Sequence, residues 1–132
     1  MFIPQSFVAL TVALAVSISA VAADAAPRIS TAQGVTVTVT PVELGAAKTL
    51  SFKLVLDTHS QALTDDLTQT STLVDSTGRR YPPLAWEGAP PGGHHREGVL
   101  RFAPVDPGTT GLELHLQRPG EVAPRVFRWQ LQ

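Results

Sequence analysis

The stretch GVTVTVTPVEL, Gly34 to Leu44, constrains the fold more than any other part of the chain. Val35, Val37 and Val39 alternate with Thr36, Thr38 and Thr40, so a period of two runs through β-branched residues. A helix would wind those valines around its circumference, whereas a pleated strand places them on one face. Pro41 lacks an N–H and suits a strand end or a sheet edge, so this first strand is the expected edge.

The same period recurs along the chain. In KTLSFKLVLD, residues Leu50, Phe52, Leu54 and Leu56 point inward. STLVDSTGRRYPPLAW reads as a hairpin turning at Asp75-Ser76-Thr77-Gly78, where glycine is free to take positive φ. Gly98 to Phe102, Thr110 to Leu116 and Arg125 to Leu131 supply further short strands. No sustained helical period appears between them, and Ala62 to Leu67 makes one helical turn at most. About seven short strands separated by Gly, Pro and Asp turns predict an all-β, antiparallel two-sheet sandwich of immunoglobulin-like type. A small barrel is the alternative. Phe52, Trp86, Phe102, Phe127 and Trp129 lie in or beside these strands and are expected in the core.

The N-terminus has another character. FVALTVALAVSISAVAADAA is an apolar run ending in small residues, with A-x-A patterns at 20–22 and 23–25, the first slightly preferred for cleavage. Residues 1–25 are therefore expected to be a secretory signal peptide, 26–33 a flexible lead-in, and 34–132 the sandwich domain. The rival is an uncleaved anchor, since Phe7 to Ala23 has the length of a short bilayer span. No cysteine follows the run, which excludes a lipid-anchored lipoprotein and leaves stability to packing without disulfides. Periplasm or extracellular space is the expected location. Charges nearly cancel, to a net −1, and are interleaved, which argues against nucleic acid or an anionic membrane as partner.

Chemistry has few places to reside. His115 shares LELHL with Glu113 on the solvent side of three leucines and carries no expected function. In LDTHS, Asp57 and His59 are two apart, so a continuing strand puts them on one face, where the carboxylate can fix an imidazole tautomer. In PPGGHHREG, Gly92 and Gly93 let the backbone curl, the one circumstance in which His94 and His95 face a common ligand. With a carboxylate from Asp57, Asp65 or Asp66, the set His59, His94 and His95 suits Zn²⁺ or Cu²⁺. Cu(I) is disfavoured, because the sole Met is the initiator and Cys is absent. Arg96 with the glycine N–H groups offers a second use, capture of an anion. The plain alternatives are a solvated turn for the histidines and turn capping for the aspartates. No motif of common enzymatic catalysis is present, so no activity is expected.

LDTHS, the later acidic pair and RRYPPLAWEGAPPGGHHREGVLRF together resemble an uncharacterised family of short exported bacterial proteins, with the pattern L-D-T-H-S … W-x-G-x-P-P-G-G-H-H-R-x-G-x-L-x-F. The resemblance implies a secreted β-sandwich and draws His59, His94, His95 and Arg96 together as one cluster. The resulting expectation is a non-enzymatic binding or interaction module of the cell envelope, without a cofactor, whose partner the sequence leaves open between another envelope protein and a metal ion. The alternative is a periplasmic Zn or Cu(II) protein using His59, His94 and His95 with Asp57 or Asp66.

Overall fold

The computed structural model describes residues 15, 25–45 and 48–131. The expected signal peptide and its cleavage sites lie almost wholly outside them. None of the described helices is long and apolar enough to cross a membrane.

The described chain forms nine strands: β1 (Arg28–Ala32), β2 (Val35–Glu43), β3 (Leu50–Thr58), β4 (Ser71–Asp75), β5 (Arg80–Tyr81), β6 (Ala85–Gly88), β7 (His95–Phe102), β8 (Gly111–Leu116) and β9 (Arg125–Gln130). One short helix, α1 (Leu67–Thr70), precedes β4, and Asp66 caps it by accepting from the Thr68 backbone N–H at 3.0 Å. All strand pairs are antiparallel, in two sheets ordered β1-β2-β3-β7-β6 and β5-β4-β8-β9. Without β1 and β5 this is the strand order of an immunoglobulin constant-type sandwich, four strands facing three.

The alternating residues build the core as expected. Val35, Val37 and Val39 face Leu50, Phe52, Leu54 and Leu56 within one sheet, and Leu73, Leu112, Leu114, Phe127 and Trp129 meet them from the other. Phe52 is central: its ring lies edge-on to Phe102 at 6.0 Å and tilted against Trp129 at 5.1 Å. Each such side chain contributes about 1.5–3 kcal/mol by leaving water.

Three sequence expectations are corrected. Arg28–Ala32 is no flexible lead-in but pairs along its whole length with β2. The Gln33-Gly34 turn between them has both residues at positive φ, 52° and 75°, which matches the right-handed twist of a two-residue hairpin. Consequently β2 is an interior strand, and Pro41 falls at a register irregularity between Pro41 and Glu43 where a ladder hydrogen bond is not needed. The strand expected at Gly98 begins at His95 instead.

Candidate functional site

Counting back from Leu100 and Phe102, both inward, alternation sends Gly98 and Arg96 inward and His95, Glu97 and Val99 outward. Arg96 is therefore buried, at 1 % exposure, and is not an anion-capturing side chain. Its Nη1 donates to the Asp65 carbonyl at 2.7 Å and to that of Leu63 at 3.4 Å, and its Nη2 donates to the Ala89 carbonyl at 3.3 Å. Trp86 covers the guanidinium, whose carbon is 5.7 Å from the ring centre. Burial pushes the Arg96 pKa down, against the pull of the Asp65 and Asp66 charges. The indole in turn needs the paired glycines Gly88 and Gly98, because a Cβ on Gly98 would come within 2.6 Å of Trp86 Cζ2. The W-x-G and R-x-G parts of the motif are thus one packing unit.

Two further buried arginines act at the same end of the sandwich. Arg118 grips the Asp65 carboxylate through Nε at 2.7 Å and Nη2 at 2.9 Å. Arg125 pairs with Glu121 at 2.8 Å and donates to the carbonyls of Ser30, Ala32 and Val35, each at 2.9 Å. Backbone bonds join the connections directly: Leu63 N–H to the Gly93 carbonyl at 2.9 Å, and Gly92 N–H to that of Leu63 at 2.7 Å. Gln61 Nε2 reaches the Gln33 carbonyl at 2.8 Å. The 33–34 turn and the loops 59–66, 89–94 and 117–124 are all held this way. Above them His59, His94 and Val122 are exposed, Val122 at 95 %.

His95 takes carboxylate partners of its own. His95 lies on the outer face of the five-stranded sheet, directly opposite Asp57, and its Nδ1 is 2.5 Å from Asp57 Oδ1. The tautomer-fixing carboxylate anticipated for His59 thus serves His95. His95 Nε2 faces Glu97 Oε2 at 3.4 Å, and Lys53 Nζ pairs with Glu97 Oε1 at 2.7 Å. Hydrogen bonds from Asp57 first and then Glu97 raise the His95 pKa, while Lys53 and His95 lower that of Glu97. His94 precedes the strand, and its carbonyl accepts from the Thr58 N–H at 2.9 Å. Asp65 is buried against Arg118, and Asp66 Oδ1 caps the start of α1. Among the described residues, no three His, Cys, Asp or Glu side chains form a group able to hold a metal ion. Glu97 and Lys53 are the members of the His95 cluster that sequence reasoning missed. The parity of β7 pointed to Glu97, but Lys53 required the β3–β7 register.

The chain matches no protein-family model, no curated protein and no solved structure.

Proposed function

We propose that this protein is an exported, non-enzymatic binding module of the bacterial cell envelope, and that its partner docks on the loop end carrying His59, His94 and Val122. One observation supports this reading above others: the three buried arginines, Arg96, Arg118 and Arg125, all pin the connections of that end. Desolvating a guanidinium is costly, and a hydrophobic isostere often stabilises a fold as well or better. What such contacts supply here is fixed loop geometry, which lowers the ordering cost when a partner binds. Antibody variable domains, sandwiches of related topology, likewise present their binding surface on loops at one end.

Site-specific photocrosslinking in the native host tests the reading. A crosslinking amino acid at His94 or Val122 is expected to trap a discrete adduct, and the same group at Lys48 or Gly108 is not. Equal adducts at all four positions, or none at the loop end, would refute a docking surface there.

A further inference from the structure

We infer that His95 and Glu97 form a two-donor site for a zinc-class divalent cation on the outer face of the five-stranded sheet. Two donors each about 2.1 Å from a tetrahedral ion stand about 3.4 Å apart. His95 Nε2 and Glu97 Oε2 are separated by 3.4 Å already. They are two residues apart on one strand, so the pleat alone puts them on the same face.

The atoms behind these donors are also in place. His95 Nδ1 is held by Asp57 Oδ1 at 2.5 Å, the carboxylate–histidine arrangement that orients metal-binding imidazoles and leaves Nε2 as the donor. Glu97 Oε1 is held by Lys53 Nζ at 2.7 Å, which leaves Oε2 turned to the histidine. The Lys53 charge opposes a cation, but the carboxylates of Asp57 and Glu97 outweigh it. An imidazole with a carboxylate suits Zn²⁺ or Cu²⁺ better than Mg²⁺ or Ca²⁺, which prefer oxygen alone.

Two donors leave the remaining coordination positions to water or to a donor from outside the chain. His95 and Glu97 are about half exposed, at 57 % and 47 %, so an outside group has access. The site begins one residue beyond His94 of the loop end, but it rests on the His95–Glu97 geometry and not on the docking reading.

Calorimetric titration of the purified protein with zinc alone at neutral pH tests the site, with long-range ¹H–¹⁵N spectra of the imidazoles recorded in parallel. One ion per chain is expected, with the His95 Nε2 signal shifting and Nδ1 keeping its proton. His95→Ala and Glu97→Gln should each abolish binding. Asp57→Asn should weaken it about tenfold, as loss of a supporting carboxylate does. His59→Ala and His94→Ala should leave it unchanged. No heat and no shift up to millimolar zinc would overturn the inference. Binding that survives Glu97→Gln but is lost with His59→Ala or His94→Ala would overturn it equally. All these positions are on the surface, and the thermal melt of each variant without zinc reports whether it is folded.

Discussion

Asp65 and Arg118, 53 residues apart in the chain, close a two-pronged ion pair from which water is excluded, their side chains being 1 % and 5 % exposed. The pair joins the β3–β4 connection to the segment following β8 and so locks two loops at one end of the sandwich together. Asp65→Ala leaves the guanidinium buried and unpaired and should cost about 4 kcal/mol in chemical unfolding. The double variant Asp65→Leu/Arg118→Met should regain most of that stability. Loop rigidity should fall in the double variant all the same, read as faster amide exchange at Leu63 and Gly92. Slow exchange there would show that the ion pair does not order the loops.

Gly98→Ala is expected to destabilise by about 2 kcal/mol, since the new methyl overlaps both Trp86 and the facing strand. Its Cβ would lie 2.6 Å from Trp86 Cζ2 and 2.7 Å from Gly88 Cα. Adding Trp86→Ala should rescue little, because the backbone clash persists and the cover over Arg96 is lost. Denaturant midpoints of the two variants decide this.

Acid should weaken the opposite end of the sandwich. Burial pushes the Asp75 carboxyl up, but hydrogen bonds from Thr77, Tyr81 and Arg79 prevail and hold it below the usual carboxylate value. A lowered folded pKa contributes stability that is present above the unfolded value of 3.8 and lost as pH falls through the folded one. Asp75→Asn should cost about 2 kcal/mol at neutral pH. It should also flatten the decline in melting temperature below pH 3.8. Tyr81 behaves in mirror image: burial and Asp75 raise its phenol, so its contribution holds below the ordinary value of 10.0 and fades in stronger base.

His95 should titrate above the ordinary imidazole value of 6.5 in NMR, and Asp57→Asn should bring it back towards that value. The raised pKa means that the folded state gains from protonation of His95, a gain complete below the unfolded value and lost as pH rises through the folded one. At 57 % exposure the effect on melting is small, so the chemical shift is the readout. A His95 that titrates at or below the ordinary imidazole value would show that Asp57 does not hold it in solution.

The sandwich was legible because valine and leucine alternate wherever a strand has one buried face. RISTA escaped notice for the opposite reason: β1 is half exposed and has no fully buried residue to mark its period. The Gln-Gly pair after it was the available signal. Arg96 misled because guanidinium groups belong by default on surfaces, although parity from Leu100 already pointed it inward. The Asp57–His95 pair depends on the register of strands 38 residues apart, which no local pattern encodes.

The arginine contacts carry one more consequence. Arg96 holds its loops by the carbonyls of Leu63, Asp65 and Ala89, and Arg125 holds the first hairpin by those of Ser30, Ala32 and Val35. Every residue type presents the same carbonyl, so the grip is indifferent to what the loop tips display. His59, His94 and Val122 are therefore open to replacement while the path of the chain beneath them stays put. Selection acting on such tips can change what they display without refolding the molecule, as one handle accepts many blades.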